Sequence, residues 1–246
     1  MTTTAILSAL AEEQQGLLEQ LQLPEKTSHA GRDFWTGRLH GLPVVLALSR
    51  IGKVAAATTA TALIERFGVR RIVFTGVAGG LGKDVQVGDV VVADQFIQHD
   101  LDASPIFPRY EVPLYGKTRF SCDVALSRVL LQASRAGLDS LALPSRTLLH
   151  HGLVASGDRF VSGAQESRAL RSALKQGGHE VLAVEMEGAA VAQVCFDYGV
   201  PFAAVRTISD RADDAAHVDF PVFVRDVASL YAQAIVERFL FLLPKE

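Results

Sequence analysis

Two short, almost uninterrupted apolar runs, residues 181–184 and 202–208, constrain this chain most, because each is followed within three residues by a carboxylate, Glu187 and Asp210. Apolar runs of this length, succeeded by segments of helical periodicity, read as strands buried on both faces of a parallel sheet. Carboxylates at the carboxyl ends of such strands lie where open α/β sheets bind their ligands. Two acids on neighbouring strand ends can therefore face one cleft.

The remaining segments fit the same plan. Residues 5–10 are expected as a strand and 12–22 as a helix, with Pro24 as its stop signal. His40-Gly41, between apolar segments 34–39 and 44–48, signals a hairpin. Residues 54–67 read as a helix with Gly68 beyond it. Residues 72–74 read as a strand running into a glycine loop, 76–82. Strands at 87–93 and near Leu153, and helices at 125–136, 165–176 and about 220–242, complete the pattern. The stretch 99–120 carries Pro105, Pro108 and Pro113 among aromatics, an irregular excursion of the kind that is usually functional or interfacial. No linker or charge run interrupts the alternation, so one α/β domain over 1–246 is expected: three layers, with a central mixed β-sheet flanked by helices.

A hydrophobic content of 49% with 21% charged residues is that of a globular enzyme able to build its core without metal or disulfide staples. Cys122 and Cys195 lack CxxC spacing and are expected as free thiols in a reducing compartment. Residues 1–10 have no basic region ahead of an apolar stretch, and no run is long enough to span a membrane. Dispersed Lys and Arg with a net charge of −3 argue against nucleic acid or a membrane surface as partner. A cytoplasmic enzyme acting on a small molecule is the expectation. His99, His150, His151 and His217 show no HxxxH or HExxH spacing, and Asp213 and Asp214 beside His217 look like a polar loop, so no metal site is expected.

Each candidate residue also has a bland reading. The glycine loop is neither GxGxxG nor a P-loop, and a tight turn explains it more economically than ligand binding. Glu185 and Glu187 suit the first turn of a helix, and Ser209-Asp210 suits a cap. Glu13 stands beside Glu12 at the start of the first helix, where acids are common. Taken together, three acids following three separate strands suit a reaction that needs an acid, a base and a hydroxyl clamp.

Thr75-Gly76-Val77-Ala78-Gly79-Gly80, Ser156-Gly157-Asp158-Arg159-Phe160, Val184-Glu185-Met186-Glu187-Gly188-Ala189 and Val205-Arg206-Thr207-Ile208-Ser209-Asp210 occur here in one order, with Ile51-Gly52-Lys53-Val54 and Ala11-Glu12-Glu13 before them. In these motifs the chain resembles the nucleoside phosphorylase/nucleosidase superfamily over nearly its whole length, and within it the 5′-methylthioadenosine/S-adenosylhomocysteine nucleosidases. The resemblance implies cleavage of an adenine nucleoside's N-glycosidic bond through an oxocarbenium-like ribosyl transition state, without a cofactor. Asp210 would be the general acid toward purine N7, Glu13 would activate water, and Glu187 would bind the ribose hydroxyls. Phe160 would stack on the base and Val161 would read its edge through its backbone. Met186 would line the ribose site and Phe220 would close over the pocket. Ala78, Gly79, Ile51, Glu185 and Ser209 fall in the same motifs as further substrate-binding candidates. The family also implies a homodimer, with the proline-rich excursion at the subunit contact.

Three positions depart from the family pattern. Val77 stands where many relatives have Ser, Arg50 replaces a Gly before Ile51, and the segment 103–120 is longer and differently composed. Arg50 is expected either near the 5′ side of the sugar, in a forked contact with a carboxylate or phosphate, or in an ion pair. Two other readings stay open: a phosphorylase of the same fold, and a non-catalytic nucleoside-binding protein. The acid at Glu13 favours hydrolysis, and the presence of all three acids favours catalysis.

Overall fold

The computed structural model describes residues 2–141, 147–212 and 223–244. One mixed sheet organises the chain. Its first strand, β1 (Thr4–Ser8), lies parallel between β4 (Leu42–Leu48) and β5 (Arg71–Gly80). The hairpin expected at His40-Gly41 is present: β3 (Arg32–Leu39) pairs antiparallel with β4, and β2 (Gln22–His29) continues outward as the edge.

Beyond β5 the sheet closes on itself. β10 (Phe202–Asp210) runs parallel to β5 and antiparallel to β6 (Val90–Gln98). β6 pairs with β8 (Leu149–Ser156), β8 with β9 (Val181–Glu185), and β9 returns to the end of β5 at Gly79 and Gly80. β7 (Arg119–Ser121) adds a short antiparallel pairing on β6. Closure removes the open edges that β5 and β10 would otherwise expose.

Helices cover both faces and build separate cores. On one face α2 (Lys53–Glu65) and α5 (Gly188–Tyr198) bury Ala56, Ala60, Leu63 and Val191 against Phe74 and Phe96. On the other, α1 (Ala11–Glu19), α3 (Val124–Ser140) and α6 (Ser229–Leu242) enclose Leu17, Leu130, Tyr231 and Phe239. Each such fully buried side chain contributes roughly 1.5–3 kcal/mol relative to exposure. α4 (Ala164–Gln176) closes a third cluster through Leu174, where Tyr110 of the proline-rich excursion also inserts. The three expected layers are therefore present. Among the described residues no helix is long and apolar enough to cross a membrane.

Three expectations need correction. The glycine loop is not a loop, because β5 runs on through Gly80. The first helix ends at Glu19, and Gln22 already belongs to the edge strand β2, which the sequence reading missed. The last helix is preceded by a π-helical turn, Val224–Ala228, while its expected start at Phe220 lies outside the described residues.

Candidate active site

The carboxyl ends of β1, β5, β9 and β10 enclose a cleft of about 440 Å³, lined by apolar walls and a few polar groups. Asp210 sits there because of a local fault in the sheet. Ile208 pairs with Ala78 and Asp210 with Gly79, so Ser209 is an extra residue in the ladder. Bulges of this kind re-aim a side chain. Asp210 is buried, its Oδ1 accepting from Ala212 N at 2.7 Å and its Oδ2 from the Ser209 hydroxyl at 2.8 Å. Gly79 makes room for it, since a Cβ there would lie 3.0 Å from Asp210 Oδ1 and 2.9 Å from Ala212 Cβ.

Glu13 is positioned by its own helix. From the first turn of α1 its Oε2 reaches back to Ala9 N at 2.9 Å and Leu10 N at 3.0 Å, as a capping acid does. Its Oε1 crosses to Val77 N at 3.1 Å. Burial pushes its carboxyl up to about 7, although these backbone donors and the charge of Arg206 pull the other way. Ala9, Leu10 and Val77 line the cleft, so Glu13 stands just behind its wall.

Glu187 lies where two helices start. It is the residue before α5, and its Oε1 accepts from Gly52 N at 2.9 Å, at the start of α2. Burial, and then the charge of neighbouring Glu185, raise its carboxyl to about 8, against the Gly52 donor and Arg206. Glu185 also reaches the cleft wall, but its oxygens are committed to protein donors. They accept from Ser156 Oγ, from Gly188 N at 2.8 Å and from Arg206 Nη2 at 2.8 Å.

Arg206 and Ser156 were not singled out in the sequence. Arg206 is buried within β10, its guanidinium 4.1 Å from the Phe74 ring centroid and donating to the Phe74 carbonyl at 3.1 Å. A cation inside an otherwise apolar strand was the available signal, because a buried charge requires a partner. Lys53 is a further omission. Its ammonium pairs with Asp100 at 2.5 Å, and its backbone N–H donates to Asp158 at 2.7 Å, tying α2 to the segment that carries Phe160.

Phe160, Val161, Met186, Ile51, Ala78, Gly79 and Ser209 all line the cleft, with Phe160 half-exposed at its rim. Phe220, Asp213, Asp214 and His217 lie outside the described residues. Arg50 lines a second cavity rather than the cleft; its backbone is left-handed, φ 62°, and its guanidinium donates to the Gly31 carbonyl.

Comparison with known proteins gives the family. The family model described as the phosphorylase superfamily matches residues 3–240. A 5′-methylthioadenosine/S-adenosylhomocysteine nucleosidase of Oceanobacillus iheyensis is 37% identical over 95% of this chain and 97% of its own length. An aminodeoxyfutalosine nucleosidase of Helicobacter pylori is 36% identical over 93% of this chain and 94% of its own. The crystal structure of the Neisseria meningitidis 5′-methylthioadenosine/S-adenosylhomocysteine nucleosidase in complex with methylthio-immucillin-A superposes with a TM-score of 0.87 at 33% identity, covering 99% of this chain and 100% of that one. The chain therefore belongs to the phosphorylase superfamily, in the branch that holds the 5′-methylthioadenosine/S-adenosylhomocysteine nucleosidases.

Proposed function

We propose that this protein is a purine N-ribosyl hydrolase that cleaves 5′-modified adenosines, methylthioadenosine and adenosylhomocysteine among them, to adenine and a 5′-modified ribose. The observation that carries the reading is that Glu187 and Asp210 line one largely apolar cleft, with Glu13 just behind its wall and bonded to Val77 N of that wall. Glycoside hydrolysis needs one carboxyl group to protonate the leaving group and another to activate water on the opposite face of the sugar. In this reading Asp210, buried beside the Ser209 hydroxyl, protonates adenine N7. Glu13, raised to about 7 by burial, is partly ionised near neutral pH and can take a proton from water. Glu187 binds the ribose hydroxyls. Its raised value of about 8 reflects burial and the neighbouring Glu185 charge, both of which favour its neutral form until positive charge develops on the ribosyl group. Glu185 is a positioning residue, fixing the start of α5 through Gly188 N and holding Arg206.

Phe160 at the rim supplies a face for the base, and Val161 beside it offers backbone to the adenine edge. Hydrolysis is favoured over phosphorolysis because Arg50, the cation first considered for phosphate, lines a different cavity. We further propose a single domain that acts in a reducing cytoplasm as a homodimer. The exposure of Ile51, Val54, Ile106 and Leu114 supports the dimer. Incubation with methylthioadenosine in phosphate-free buffer tests the reaction. Stoichiometric release of adenine and methylthioribose is expected, and a requirement for added phosphate would refute hydrolysis.

A further inference from the structure

The second cavity, about 470 Å³, lies behind the cleft wall, between α1 and the β3–β4 hairpin, and is lined among others by Gln14, Leu18, Arg32, Trp35, Leu48 and Arg50. The same two backbone segments wall both spaces. Leu10 and Ile51 face the cleft, while Ala11 and Arg50 face the second cavity. Its polar groups are mostly donors. Arg32 is held by the carbonyls of Ala30 at 2.8 Å and Ala55 at 3.2 Å, and Arg50 by that of Gly31, so both guanidiniums are fixed by neutral acceptors rather than by carboxylates. The buried Nε of Arg32 has no hydrogen-bond partner among the described residues, nor does Nε2 of Gln14, a side chain only 5% exposed. Asp33 also borders the cavity, but its carboxylate is engaged by Lys26 at 2.7 Å and by Ser28 at 2.6 Å.

The two guanidiniums face one space and repel each other, and the carboxylate at its border, Asp33, is shared between Lys26, Ser28 and the field of exposed Arg50. Burial and the charge of Arg50 both hold Arg32 below the usual guanidinium range. An anion placed between them would meet oriented, charge-assisted donors at little cost in side-chain ordering. Beside these donors Leu18, Leu48 and Trp35 offer apolar surface, with Lys26 Nζ 5.5 Å from the centroid of the Trp35 ring. A carboxylate attached to an aromatic ring satisfies both halves of the cavity, whereas inorganic phosphate satisfies only one.

We propose that this cavity is a second ligand site, separate from the cleft, that binds a small aromatic carboxylate through Arg32, Arg50 and Gln14 with its ring against Trp35. Direct calorimetric titration of the whole protein with benzoate tests the assignment, with inorganic phosphate as the contrasting probe. Benzoate should bind more tightly than phosphate. Arg32→Gln should weaken it about tenfold or more, and Phe160→Ala at the rim of the cleft should leave it unchanged. Should Arg32→Gln fail to fold, Trp35→Leu carries the same expectation of weakened binding. Benzoate affinity unaltered by the cavity variant, or lost in Phe160→Ala, would overturn the site. Tighter binding of phosphate than of benzoate would overturn the ligand class.

Discussion

At the scale of single residues, Asp210→Asn separates proton delivery from architecture. The amide keeps an acceptor for Ala212 N and can donate to the Ser209 hydroxyl, which retains the Ala78 carbonyl at 3.4 Å as an acceptor. The fold should persist, while adenine release falls by roughly 10²–10⁴-fold, the usual worth of a general acid. Activity within a few-fold of the parent would remove Asp210 from the role. Glu13 gives a pH signature. Its carboxyl rises from 4.5 to about 7 on folding, so the folded protein holds the proton more tightly than the unfolded chain. The associated stability is complete below the unfolded value and is lost as pH rises through the folded one. Thermal unfolding should therefore show Glu13→Gln losing less Tm than the parent between pH 5 and pH 7, and equal slopes would exclude the raised value. Glu13, Glu187 and Asp210 were legible because each follows an apolar strand. The left-handed φ at Arg50, a non-glycine residue, was not legible, because sequence pattern does not reveal it.

Elements place these residues, and the end of β5 is the sharpest case. Gly79 and Gly80 read as a turn because glycine is depleted in strands, but here it permits close backbone approach. A Cβ on Gly80 would come within 3.2 Å of Ile208 Cγ2, as one on Gly79 would crowd Asp210 and Ala212. Gly79→Ala should thus push β10 away at its bulge. Overpacking of this kind costs roughly 1–3 kcal/mol. Adenine release is expected to fall well beyond what that stability loss explains, because Asp210 is the displaced neighbour. A variant with lowered Tm but parental kcat/KM would show that the bulge tolerates the shift. β2 escaped the reading for a different reason. Nearly all its residues are exposed, and it combines Pro24 with Glu25 and Lys26, so it carries no apolar alternation. Proline and charge are what a protected sheet edge uses, and they resemble a loop in sequence.

For the whole molecule, layer order and the buried strands followed from periodicity, whereas the exposed strand β2, the short β7 and the closure of β5, β10, β6, β8 and β9 into a ring did not. Buried strands with similar Val- and Ala-rich sequences give no local signal of which neighbour each will choose, so pairing is settled by long-range packing. Surface character is easier to read and yields the final prediction. Ile106 is 82% exposed, Leu114 91% and Val54 79%, while Ile51, 59% exposed, also lines the cleft. Ile106 and Leu114 belong to the proline-rich excursion, which is anchored by Tyr110 in the core and by Tyr115 against Phe120 and Phe196. An anchored segment that presents large apolar side chains outward has the character of an interface. Sedimentation at micromolar concentration should give a dimer. Ile106→Asp with Leu114→Asp should shift it toward monomer, because charges buried at a subunit contact lack partners. Adenine release should fall in parallel where the partner covers exposed Ile51, which also lines the cleft. A monomeric double variant with parental activity would leave the dimer structural and show each cleft to be complete on its own, whereas a monomeric parent would remove the interface altogether.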